Sequence, residues 1–109
     1  MILTDRQLEI IRTILQMYVP GRRVLLFGSR ATGKRVKEFS DADLAVIGDL
    51  PIPFGIMGTL KEMFSASDLP FRIDVVDWAT TSPAFREVIQ RDGQEIIGAD
   101  KMPQGVARE

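Results

Sequence analysis

Val24-Leu25-Leu26-Phe27-Gly28-Ser29 is the stretch on which the fold turns. Four apolar residues in a row, without alternation, fit a short strand buried on both faces. Gly28 breaks that strand and Ser29 follows at once. A second apolar run, Ala42 to Ile47, begins just after Ser40-Asp41, and a third, Phe71 to Trp78, follows the turn Asp68 to Pro70. Helical patterns surround these runs. Thr4-Asp5-Arg6-Gln7 reads as a capping box. Leu8, Ile11, Leu15 and Tyr18 then recur at helical spacing, widened by Ile10 and Ile14, until Pro20-Gly21 stops the helix. Arg30 to Lys37 is polar and reads as a short helix weakened by Gly33. After a loop from Gly48 to Pro53, Ile56, Leu60, Met63 and Phe64 make another amphipathic helix. Ser82-Pro83 opens a last helix, with serine at the cap and proline at the first turn. Phe85, Val88 and Ile89 are its core-facing residues and Gly93 its stop.

The order is helix, strand, short helix, strand, helix, strand, helix. It predicts an α/β (α+β) fold, a small mixed sheet of three to four strands with helices packed on it. The short link between the first two strands permits an antiparallel pair, and strand order is not readable from periodicity. Residues 1–100 read as one domain and 101–109 as a polar, frayed tail.

Composition prunes the chemistry. The chain has 109 residues, no cysteine and no histidine. Disulfides, thiolate nucleophiles, zinc ribbons and Ser-His-Asp triads are all excluded. The absence of cysteine fits a reducing, cytoplasmic setting. A net charge of −1 argues against direct nucleic-acid binding. No apolar run reaches the roughly 18 residues of a membrane span, and the N-terminus lacks a signal peptide's basic region and cleavage site. A core this small points away from a deep enclosed pocket in one copy.

What acid–base or metal chemistry remains must rest on carboxylates, lysine or tyrosine. Asp41 and Asp43 are two apart at a strand start, so they share a face with alpha carbons about 6.6 Å apart. Carboxylates so placed can converge on one metal ion or bridge two. The plainer reading of Ser40-Asp41-Ala42-Asp43 is a turn with solvated carboxylates. Asp74 lies inside the third strand, where aspartate is disfavoured and needs a partner. It is the natural third ligand. Its alternative is an ion pair with Arg72 or another basic residue. Asp77, three residues on, points to the other face and reads as structural or solvated.

Gly28 lets the backbone approach a phosphate, and the Ser29 hydroxyl and nearby amides can donate to one. Arg30, Lys34, Arg35 and Lys37 add positive charge, or simply form a solvated helix face. A rival motif overlaps: Gly28-Ser29-Arg30-Ala31-Thr32-Gly33-Lys34 fits the start of a P-loop nucleotide binder, although Arg35 stands where that motif needs Ser or Thr.

The strand with Gly28-Ser29, the short basic segment, Ser40-Asp41-Ala42-Asp43-Leu44 and the later Asp74 together resemble the DNA polymerase beta-like nucleotidyltransferase superfamily. The similarity runs from about Val24 to Gly93 and is closest to the minimal nucleotidyltransferases of prokaryotes, which are cytoplasmic. The segment Pro83 to Ile89 followed by Asp92-Gly93 is similar to the family's last helix. Two departures stand out. Thr32 replaces a frequent second arginine, and eleven residues (30–40) separate Ser29 from Asp41. The resemblance implies that Asp41 and Asp43 bind the magnesium carrying ATP or another nucleoside triphosphate, and that with Asp74 they hold a second ion near the attacking hydroxyl. It implies that Gly28, Ser29, Arg30 and Lys34 contact the nucleotide. Minimal members commonly pair with a helical HEPN protein as toxin and antitoxin, in some cases adenylylating a toxin tyrosine. The leading expectation is therefore AMP transfer to a HEPN-type partner. The alternative is a non-catalytic antitoxin that neutralises by occlusion. Assembly into a homo-oligomer is left open.

Overall fold

A computed structural model describes residues 1–98; the polar tail expected over 101–109 lies outside them. Thr4 opens α1, Asp5–Tyr18. Its hydroxyl accepts from the Gln7 amide while the Gln7 side chain accepts from the Thr4 amide, each at 3.0 Å. The reciprocal pair satisfies donors that a bare helix end leaves orphaned. Ile11, Ile14 and Leu15 face inward from it.

Four strands form one sheet: β1 (Val24–Phe27), β2 (Ala42–Val46), β3 (Ile73–Asp77) and β4 (Gln94–Ile97), in spatial order β3-β2-β1-β4. β1 runs antiparallel to both β2 and β4, and β2 runs parallel to β3. The sheet is mixed, as expected. The parallel pair needs a long crossover, which α3 (Phe54–Ala66) supplies. β1 lies between two neighbours and its four residues are all buried, as the unbroken apolar run implied.

Four expectations need correction. The helix read over Arg30 to Lys37 is only α2, Ser29–Thr32. Gly33 turns left-handed (φ 77°) and Arg35 also has positive φ (60°), so the chain leaves helical geometry there. The third strand is shorter than 71–78, and a single 3-10 turn, Trp78–Thr80, follows it. β4 was not anticipated as an element. Gln94 and Glu95 are exposed, so its pattern shows little apolar alternation. Finally, α4 (Pro83–Asp92) buries Ile89 alone. Phe85 stays partly exposed, edge-on to Phe27 at 5.7 Å between ring centroids.

The sheet's two faces are covered unequally. Val24, Leu26, Leu44 and Val46 pack with Ile11, Leu15, Leu60 and Phe64 of α1 and α3 in the main core. The opposite face carries a smaller cluster, in which Ile89 of α4 meets Leu25, Phe27 and Ala45. α4 thus caps the β1 side of that face, while the start of β2 and β3 stays open beside it. Among the described residues no helix is long and apolar enough to cross a membrane.

Candidate active site

The open part of the face begins at the turn after β1. Gly28 has φ 77° and ψ −158°, a region that residues with side chains avoid. A methyl group built there would collide with Asp43 Oδ2. Glycine is required twice over, for backbone shape and for the room it leaves the carboxylate. Ser29 follows as the first residue of α2.

Asp43 lies opposite Phe27 of β1 on one side and opposite Asp74 of β3 on the other. Adjacent strands are about 4.8 Å apart, so two aspartates project side by side from one face. Asp41, two residues before Asp43, joins them on that face. Arg72, two residues before Asp74, lies beside Asp41: its Nη2 is 3.8 Å from Asp41 Oδ2 and donates to Asp74 Oδ1 at 3.3 Å. The structure therefore brings together Asp41, Asp43 and Asp74 beside the glycine–serine turn, and the ion pair weighed for Asp74 is present too. Arg72 is largely exposed, so its pairing is weak.

The electrostatics identify Asp43 as the strained member. Burial raises its carboxyl first, and the neighbouring charges of Asp74 and Asp41 raise it further, to about 6. Negative charge is thus concentrated beyond what one exposed guanidinium neutralises. The donors are carboxylate oxygens, the hard ligands that magnesium prefers. Among the described residues no three carboxylates are closed around one point at ligand distance; Arg72 lies between Asp41 and Asp74 instead. The chemistry of the donor set and the crowding at Asp43 fit a divalent cation, with Arg72 as the group that must yield.

Arg30 needs correction as a nucleotide contact. It is 4% exposed. Its Nε, Nη1 and Nη2 donate to the carbonyls of Ser40, Ile2 and Glu38 at 2.8, 3.0 and 2.9 Å, and the guanidinium stacks 3.8 Å from the Phe71 ring centroid. It ties the loop before β2 to the N-terminus and is not free to reach phosphate. Lys34 is exposed on that loop, past the end of α2. The P-loop reading fails on the same geometry. A P-loop lysine opens a helix, whereas here Gly33 has just closed one, and β1 is flanked by antiparallel strands on both sides. Asp77 is structural: its carboxylate accepts from the Ile52 amide at 2.8 Å and caps the 3-10 turn through Ala79. Phe39 and Lys61, beside the carboxylates, escaped the sequence reading. Phe39 is an isolated aromatic in a polar loop and Lys61 one cation on a solvent-facing helix side, so neither carries a pattern.

The profile of the family described as polymerase beta, nucleotidyltransferase matches residues 9–102. The chain belongs to that family. A relative from Haemophilus influenzae, described as probable protein adenylyltransferase MntA, is 52% identical over 87 residues, covering 80% of this chain and 75% of the relative. Among solved structures, a toxin–antitoxin complex with AMP-PNP matches at a TM-score of 0.71 and 24% identity, over 85% of this chain and 74% of that one. The MNT antitoxin in complex with the tri-AMPylated HEPN toxin of Shewanella oneidensis matches at a TM-score of 0.65 and 22% identity, over 84% and 70%. At these identities the solved structures establish the nucleotidyltransferase fold.

Proposed function

We propose that this nucleotidyltransferase is a magnesium-dependent protein adenylyltransferase that moves AMP from ATP onto a hydroxyl of a HEPN-type helical partner, acting in the cytoplasm as the antitoxin of the pair. The observation that carries this reading is the meeting of Asp43 and Asp74 in register, with Asp41 alongside, next to the Gly28–Ser29 turn. The kinship with the Haemophilus relative supports protein as the acceptor.

Asp41, Asp43 and Asp74 would hold the cations. When bound, magnesium supplies positive charge that offsets the triphosphate and makes an acceptor hydroxyl easier to deprotonate. Gly28 keeps the backbone low enough for phosphate to approach, and the Ser29 hydroxyl donates to the terminal phosphates. Lys34 is free on its loop to add positive charge there. The acceptor oxygen forms a bond to the α-phosphorus. The bond from that phosphorus to the oxygen bridging to the β-phosphate breaks, and its electron pair leaves with pyrophosphate. The acceptor's proton passes to a carboxylate or to water.

Incubation with labelled ATP, magnesium and a HEPN-type helical protein tests the reading. Label on the partner that vanishes with Asp43→Ala or Asp74→Ala is the expected result. A partner that is inhibited yet carries no label would instead mean neutralisation by occlusion.

A further inference from the structure

Asp43 and Asp74 owe their places to the sheet, since both lie within paired strands and in register. Asp41 does not. It stands one residue before β2 opens at Ala42, at the end of the loop that leads from α2. That loop has little to hold it. From Thr32 to Phe39 every residue is exposed except Val36, which is half-buried. Gly33 and Arg35 both take positive φ, so no helix carries a fixed geometry through it. A segment with so few buried contacts opens easily. A metal ligand mounted on its end needs another support.

Arg30 supplies it. It follows Ser29 in the chain and is buried. Its guanidinium reaches across the base of the loop: Nε donates to the carbonyl of Ser40, the residue before Asp41, and Nη2 donates to the carbonyl of Glu38. Nη1 anchors the fork to the Ile2 carbonyl, and the Ile2 amide returns a hydrogen bond to the Arg30 carbonyl at 2.7 Å. The Phe71 ring stacks on the cation. Phe71 leads directly into Arg72, whose carbonyl accepts from the Ala42 amide at 2.9 Å. One planar group thus meets the serine turn, the end of the loop and the chain entering β3. Donors in a rigid fork fix the positions of their acceptors. We propose that Arg30 is a positioning residue: without touching substrate, it sets the distance from Ser29 to Asp41 and so completes the metal site. The inference rests on the transferase reading above, in which Asp41 is a ligand.

The test titrates manganese, standing in for magnesium, into the full chain and reads the bound ion by electron paramagnetic resonance. Arg30→Lys keeps the charge and loses the fork, and should weaken manganese binding about tenfold. In an Asp41→Asn background the same substitution should cost nothing further, because the ligand it places is gone. Ile11→Ala, fully buried in α1, controls for lost stability and should leave manganese affinity unchanged. Each variant is measured well below its melting temperature, with folding checked by circular dichroism. If Arg30→Lys does not fold, Phe71→Leu takes its place. It removes the stacked ring, keeps the three hydrogen bonds, and should weaken manganese several-fold with the same dependence on Asp41. Unchanged affinity in the folded variant, an equal loss in the Asp41→Asn background, or an equal loss in Ile11→Ala would each overturn the assignment. No manganese binding to the unaltered chain, or binding that survives Asp43→Ala, would instead remove the carboxylate site and the transferase reading with it.

Discussion

Asp43 concentrates the competing demands at the scale of single residues. Its carboxyl is raised from 3.8 to about 6 by burial and by two like charges. A group raised in this way contributes stability fully below about 3.8, and that contribution is lost as pH rises through about 6. In the absence of divalent ions, Asp43→Asn should therefore stabilise the protein by about 1 kcal/mol at pH 7, after allowing for solvent screening. The gain should shrink towards nothing near pH 4, as urea titrations at the two pH values would read. The same substitution should abolish transfer. Gly28→Ala makes the converse case. It forces a side chain into an unfavourable φ and against Asp43 Oδ2, so a loss of about 1 kcal/mol in stability is expected, with a larger loss in magnesium and ATP affinity. Arg30 is a different kind of charged residue. Arg30→Met leaves three carbonyls without their donor and should cost about 3 kcal/mol in thermal or chemical denaturation. Lysine should not rescue it, because a point charge cannot span three acceptors in a plane.

At the scale of elements, the site depends on how little covers the second face of the sheet. α4 holds to that face through Ile89, which is fully buried against Leu25, Phe27 and Ala45. Arg86 secures its first turns, donating from Nε and Nη2 to the Trp78 carbonyl at 3.1 and 2.7 Å. Ile89→Ala should destabilise by about 2–4 kcal/mol. Hydrogen exchange should show α4 and β4 opening before the main core, because β4 follows directly from α4. Thr4→Ala removes the cap of α1 and should cost about 1 kcal/mol in thermal or chemical denaturation. Capping and periodicity made α1 and the start of α4 legible in the sequence. β4 was not legible, since two of its four residues are exposed and its identity as a strand comes from pairing with β1. The shortness of α2 likewise comes from the left-handed Gly33 and the hold of Arg30 on the loop, which local propensity does not reveal.

For the whole molecule, ligand linkage should dominate stability. Magnesium and ATP together, at about a hundredfold over Kd, stabilise a two-state protein by about 2.7 kcal/mol. For a chain of this size that is a rise in Tm of roughly 10 °C, which Asp43→Ala should remove while leaving the fold's circular dichroism intact. The sequence by itself determined the elements that have a local signature: the unbroken apolar run of β1, the two capped helices, the glycine–serine turn, the aspartate pair at one strand start and the aspartate inside another strand. It also determined which chemistries were closed, because a chain without cysteine or histidine has carboxylates, lysine amines and hydroxyls for such work. The tertiary structure alone decided that β3 lies beside β2 in a register setting Asp74 against Asp43, that Arg72 falls between two of the carboxylates, and that Arg30 is spent on backbone carbonyls. Strand order, register and side-chain pairing join residues dozens of positions apart. Their energies arise when distant surfaces meet, and no window along the chain contains both partners.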